Sequence, residues 1–153
     1  MPLNRPDKIN YYLDIAQTVA QRSTCLRRAF GAIIVKNDII ISTGYNGAPR
    51  GRKNCVDMNF CMRDHLGIPR GERYEMCRSV HAEANAIISA KREQMIGASL
   101  YLVGKYFDTK ELVADATCCS MCKRMVINAG IKEVIVRVTH DEYKIYNVED
   151  WIS

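Results

Sequence analysis

The chain has 153 residues, 48% apolar and 25% charged, with a net charge of +5. Such a length suits one domain burying roughly 70% of its unfolded surface; the composition excludes a disordered or fibrous chain, and no stretch reaches the ~18 apolar residues of a membrane span. Met1, Pro2, Leu3, Asn4 and Arg5 lack the apolar core of a signal peptide, so a soluble cytoplasmic protein is expected. Its seven cysteines are then thiols or metal ligands rather than disulfides. The modest positive charge suits a phosphorylated small molecule, nucleic acid or plain solubility.

Between residues 6 and 21, Ile9, Tyr12, Leu13, Ala16, Val19 and Ala20 recur at three and four, which predicts a helix capped by Asn4 or Asp7. Residues 31–35 and 39–44 read as two strands joined by a hairpin turn at Lys36, Asn37 and Asp38, followed by a glycine-bearing loop over 44–51. From 52 to 77 the periodicity fades into an irregular but ordered insertion that holds Arg52, Lys53, Arg63, Arg70 and Arg73 with Cys55, Cys61, His65 and Cys77. Residues 82–92 predict a helix ended by Gly97, 99–103 a strand, 120–129 a helix stopped by Gly130, and 134–138 another strand. The tail from His140 keeps Tyr143, Ile145, Tyr146, Val148 and Trp151 and should pack. Alternating helices and strands predict one α/β domain over residues 1–153, its sheet layered by helices, with no linker or repeat.

Chemistry concentrates at His81, Glu83, Cys119 and Cys122. A histidine and a Cys-x-x-Cys pair are ligands of the kind zinc prefers; three of them leave a position open for water, whose pKa zinc lowers to about 7. Residues two apart point away from each other inside a helix, so His81 and Glu83 can converge only at a helix start, which is where the pattern places them. Cys119 and Cys122 occupy one face of a helix's first turn, whose positive dipole end favours thiolates. The alternatives at this level are a capping histidine with buried cysteines, or a closed structural zinc with Cys118 as fourth ligand.

His81-Ala82-Glu83 with Cys119-Ser-Met-Cys122 resembles the zinc-dependent cytidine deaminase superfamily. Within it, Arg22-Ser-Thr-Cys, Gly44-Tyr-Asn-Gly, His81-Ala-Glu-Ala-Asn-Ala-Ile and Cys119-Ser-Met-Cys-Lys-Arg-Met are similar to the deoxycytidylate (dCMP) deaminases, a likeness covering most of the chain from about Arg22. The resemblance implies a cytidine-deaminase-like three-layer α/β/α fold with a mixed sheet of about five strands. It further implies one catalytic zinc on His81, Cys119 and Cys122, and hydrolysis of dCMP to dUMP and ammonia, which supplies the precursor of dTMP. Glu83 would carry protons without ligating the metal.

The same resemblance implies that Asn46 binds the deoxyribose, that Ser23 and Arg27 hold the 5′-phosphate, for which the planar guanidinium is suited, and that Ala82 contacts substrate. Family members are often homohexamers activated by dCTP and inhibited by dTTP, and the basic stretch 48–54 would suit such triphosphates. No membrane or nucleic-acid partner is implied. One departure stands out: the family has proline immediately before the first metal cysteine, where this chain has Cys118. A second, structural zinc on Cys25, Cys55, Cys61, Cys77 or His65 is not favoured, since their spacings match no compact finger motif. Rival readings are a zinc deaminase acting on another base or nucleoside, and a non-catalytic zinc module binding nucleic acid.

Overall fold

The computed structural model describes residues 4–59, 61–68, 79–113 and 116–152. Helix α1 (Lys8–Ala20) begins at Asp7, whose side chain accepts the Asn10 N–H and satisfies one of the otherwise orphaned amides of the first turn. Strand β1 (Arg28–Lys36) turns through Asn37 and Asp38, at φ 52° and 62°, into β2 (Ile39–Tyr45). Two successive positive φ values match the twist of a hairpin, and Asn and Asp tolerate them. Strands β3 (Ser99–Tyr106), β4 (Glu133–Arg137) and β5 (Tyr143–Asn147) complete a five-stranded sheet ordered β2-β1-β3-β4-β5. Strands β3 and β4 run parallel and the other neighbours antiparallel, so the sheet is mixed as expected.

Side-chain alternation splits the core into two layers. Ile33, Val35, Tyr101, Val103 and Ile135 pack with Tyr12, Leu13 and Ala16 of α1. On the other face, Ala32, Ile34, Leu100, Leu102, Val134 and Val136 meet α4 (Ala82–Ile88), α5 (Arg92–Met95) and α6 (Ser120–Ala129). Because both faces are covered, β1 reads as a continuous apolar run rather than an alternating one. This is a three-layer α/β/α arrangement.

Two glycines set how closely the helices sit. A Cβ on Gly31 would lie 2.0 Å from the Ala16 carbonyl oxygen of α1, and one on Gly44 would lie 2.4 Å from the Ala86 nitrogen of α4. Only glycine permits backbone to approach that closely. Beneath α1, the fully buried Arg137 reaches Asp14 at 2.8 Å and Gln17 at 2.9 Å, with Asn10 completing the clamp.

Three parts differ from the sequence expectation. The helix expected over 82–92 stops at Ile88, because Lys91 is extended (ψ 140°) and restarts the chain as α5, which turns Met95 into the core. The tail forms strand β5 and a 3₁₀ turn, Val148–Trp151. The insertion contains two one-turn helices, α2 (Cys55–Met58) and α3 (Met62–His65); Arg70, Arg73 and Cys77 lie outside the described residues. No helix among the described residues is long and apolar enough to cross a membrane.

Candidate active site

Helix α4 is fixed against the sheet at several points. Ser42 donates to the Ala86 carbonyl at 2.7 Å, Asn85 donates to the Tyr45 carbonyl at 2.8 Å, and Gly47 and Val80 pair as an isolated antiparallel bridge. The next residue after that bridge, His81, is the N-cap of α4 with extended backbone (φ −69°, ψ 154°). It is therefore not helical, which lets its side chain and that of Glu83 serve one place. Cys119 is the N-cap of α6, again extended, and its sulfur accepts the Cys122 N–H at 3.5 Å.

These two helix starts meet. The His81 Nδ1 lies 3.4 Å from both the Cys119 and the Cys122 sulfur, and all three donor atoms fall within 4.8 Å of one another. Metal distances of ~2.3 Å to sulfur and ~2.0 Å to nitrogen place tetrahedral donors roughly 3.5 Å apart, so the triangle fits zinc. Among the described residues it is the one such His, Cys, Asp or Glu group. The hydrogen bond from Cys122, then that from His81, holds the Cys119 thiol well below its ordinary value, against the opposing effect of burial. The hydrogen bond to Cys119, then burial, pushes Cys122 up, and the bond to Cys119 raises His81.

Glu83 is 5% exposed, and burial above all raises its carboxyl. Cys118 does not join the metal triangle; its thiol hydrogen-bonds Glu83 and is raised mainly by burial. The closed four-ligand alternative thus has no fourth ligand from Cys118. His81, Ala82, Glu83, Cys118 and Cys119 line a cavity of about 470 Å³ together with Asn46 and the cations Arg27, Arg28, Arg63 and Lys123. A buried carboxyl at an open metal position, inside a positively charged cleft, can shuttle protons during hydrolysis of an anionic substrate.

Residues 6–138 match the family model described as the cytidine and deoxycytidylate deaminase zinc-binding region. The chain belongs to this family. It is 38% identical over 138 residues to the deoxycytidylate deaminase of Mycobacterium phage D29, covering 87% of this chain and 96% of that one. The deoxycytidylate deaminase of Schizosaccharomyces pombe is 31% identical over 137 residues, 90% of this chain but 39% of that longer protein. Among solved structures, the dCMP deaminase of cyanophage S-TIM5 in apo form aligns with a TM-score of 0.60 at 28% identity, over 87% of this chain and 84% of that one. The same phage enzyme in complex with dCMP and dUMP aligns at 0.57 and 26%, over 88% and 84%.

The remaining residues singled out by the resemblance occupy varied places in this deaminase. Asn46 lines the cavity, is 6% exposed, and also holds the start of β1: its side-chain oxygen accepts the Phe30 N–H and its amide donates to the Arg28 carbonyl, each at 2.8 Å. Arg27 lines the cavity with its Nε 3.2 Å from the Asp64 carboxylate. Ser23 is not among the lining residues; its hydroxyl accepts the Cys25 N–H at 3.3 Å. Arg63 and Lys123 were not expected as wall residues: Arg63 carries no motif, and Lys123 lies in the Cys119-Ser-Met-Cys-Lys-Arg-Met run without a role of its own. Lys123 directly follows a metal cysteine, and that adjacency was the available signal.

Proposed function

We propose that the protein hydrolyses dCMP to dUMP and ammonia, through a site in which His81, Cys119 and Cys122 hold zinc and Glu83 moves protons. The observation that carries this reading is Glu83: a carboxyl buried beside the metal triangle, inside the same cavity as four cationic side chains. The likeness to the deoxycytidylate deaminase of Mycobacterium phage D29 over 96% of that protein supports the choice of substrate.

Zinc bound at this triangle supplies Lewis-acid activation of water at neutral pH. Glu83 takes a proton from the attacking water and gives it to N3 of the cytosine ring as the new C4–O bond forms. It then takes the proton of the new C4 hydroxyl and passes it to the exocyclic amine, so that the C4–N bond breaks, ammonia leaves and C4 becomes a carbonyl. Burial suits it to both tasks, because raising the carboxyl from its ordinary value makes it a better proton acceptor than an exposed carboxylate while it can still give the proton back. Asn46, held rigidly by β1, presents its remaining hydrogen-bonding capacity to the sugar. Arg27, whose Nε meets Asp64, offers the terminal nitrogens of its fork to the 5′-phosphate, whereas Ser23, which does not line the cavity, is given no phosphate contact.

The finer reading is a cytoplasmic homohexamer, a single domain over residues 1–153, activated by dCTP and inhibited by dTTP. The exposed Arg50, Arg52 and Lys53 support an anionic effector. Ammonia release from dCMP, CMP, deoxycytidine, cytosine and guanine, with and without dCTP or dTTP, tests substrate and regulation together. A protein that prefers deoxycytidine to dCMP overturns the nucleotide assignment. Arg27→Ala should impair dCMP turnover selectively; equal losses on both substrates would remove Arg27 from the phosphate site.

A further inference from the structure

The opposite end of the sheet from the catalytic cavity carries a second cavity, of about 310 Å³, which the deaminase chemistry does not use. Strand β1 runs from one to the other: Phe30 lines the catalytic cavity and Val35 the second, and the five steps between them span roughly 17 Å. Lys8 and Tyr12 of α1, Lys36 and Asp38 of the hairpin turn, Tyr101 of β3 and Lys132 ahead of β4 surround it. Asp38 is the one carboxylate lining it among the described residues, and it is already engaged, since Lys8 pairs with it and the Tyr12 hydroxyl donates to it. Lys36 reaches only the Glu93 carbonyl, at 3.4 Å, and the Lys132 ammonium has no partner among the described residues. Tyr101 is 7% exposed, its ring 5.1 Å from that of Tyr12, and its hydroxyl likewise has no hydrogen-bond partner among the described residues.

A tyrosine buried to this extent ordinarily gives its hydroxyl a partner. The space beside Tyr101 is the cavity, where the ammonium groups of Lys36 and Lys132, met by no carboxylate, set a positive field. One O–H donor and two ammonium groups converging on one space match the acceptor oxygens of a phosphate group; a cation would meet like charge, and an apolar ligand would leave the donors unpaired. The volume suits a small anion at the lower end of ligand-site sizes. We propose that this cavity binds a phosphate group, remote from the catalytic cavity, with the Tyr101 hydroxyl donating to the anion and Lys36 and Lys132 supplying the charge. The site stands apart from the deaminase reading, which concerns the other end of the sheet.

The test uses the zinc-loaded full chain carrying Arg27→Ala, which removes the phosphate contact proposed for the catalytic cavity, and titrates it calorimetrically at fixed ionic strength with inorganic phosphate and with AMP. Phosphate should bind saturably. Adding Lys132→Ala should weaken its Kd roughly ten-fold or more, the worth of a hydrogen bond to a charged group, and adding Tyr101→Phe roughly two- to ten-fold, the worth of a neutral one. AMP bound with the same dependence on Lys132 would show that the site takes phosphate carried on a nucleotide, and phosphate bound without AMP that it takes the free anion; either supports the proposal. Tyr101→Phe in the absence of phosphate should melt no lower than its parent, because deleting a hydroxyl that bonds to nothing in the protein removes no interaction. A lower melting temperature would mean that the hydroxyl serves the fold, and would overturn the proposal. So would a parent that binds no phosphate, or phosphate affinity that neither added substitution changes.

Discussion

His81 and Cys119 are 38 positions apart in the chain, yet the Nδ1 of one lies 3.4 Å from the sulfur of the other. Each is the N-cap of its helix, so the contact fixes where α4 and α6 begin relative to each other. A metal joining them should therefore bind tightly and stabilise the fold, because only the folded chain offers the three donors together. Purified protein should contain about one zinc per chain, and chelation should lower its melting temperature reversibly. Cys122→Ala, which removes a donor 1% exposed in the core, should lose the zinc and the zinc-dependent rise in melting temperature. Retention of stoichiometric zinc in that variant, measured by elemental analysis, would place the metal elsewhere.

Glu83→Gln separates proton transfer from metal binding. The substitution keeps size and burial, so zinc content and melting temperature should stay near wild type while kcat falls by about 10²- to 10⁴-fold, the usual contribution of a positioned acid or base. Nucleotide affinity, measured with dUMP, should change little. Wild-type turnover in this variant would remove Glu83 from the mechanism.

Much of this arrangement is legible in the chain because it depends on local rules. The His-x-Glu and Cys-x-x-Cys spacings make sense only at helix starts, and the glycine at 130, with φ 83°, ends α6 where the sequence places it. Helix α1 and the β1–β2 hairpin follow from period and turn residues. What escaped depends on tertiary contact. The break at Lys91 is driven by burial of Met95, against the helical propensity of residues 82–92. β5 is half exposed and gains its identity by pairing with β4. Arg63 has no period or motif to mark it, and its place in the cavity wall comes from a one-turn helix too short to show a pattern.

The close approach at Gly44 makes a third prediction. A methyl group there would sit 2.4 Å from the Ala86 nitrogen and 2.5 Å from the Ala82 carbonyl oxygen, both rigid backbone atoms of α4. Gly44→Ala should therefore push α4 off β2 and cost about 1–3 kcal/mol, the usual range for overpacking. Because His81 caps that helix, zinc affinity should fall with stability. Gly51→Ala serves as the contrast: nothing lies within 4 Å of its Cβ, so its cost is limited to the strain of a φ of 80°, about 1 kcal/mol, with zinc binding intact. Equal zinc affinity in Gly44→Ala and wild type would show that α4 can shift without disturbing His81.

Alkaline stability should report the link between α1 and the hairpin. The Tyr12 hydroxyl donates to Asp38, which also pairs with Lys8, and burial followed by that hydrogen bond pushes the phenol up to about 12. Asp38 is correspondingly lowered, chiefly by Lys8 and then Tyr12. A phenol harder to ionise in the folded chain than in the unfolded one contributes stability that is fully present below its ordinary value near 10 and is lost as pH rises toward 12. Tyr101 is raised by burial as well, so part of the alkaline slope will remain when Tyr12 is replaced. Tyr12→Phe should be less stable than wild type at pH 8, and the difference should shrink steadily above pH 10, read from urea midpoints at a series of pH values. The Asp38 side runs the other way, with its contribution lost as acidification protonates the carboxylate, so the wild-type advantage should narrow again well below pH 4. A difference between the two proteins that stays constant from pH 8 to 11.5 would mean the phenol contributes packing alone.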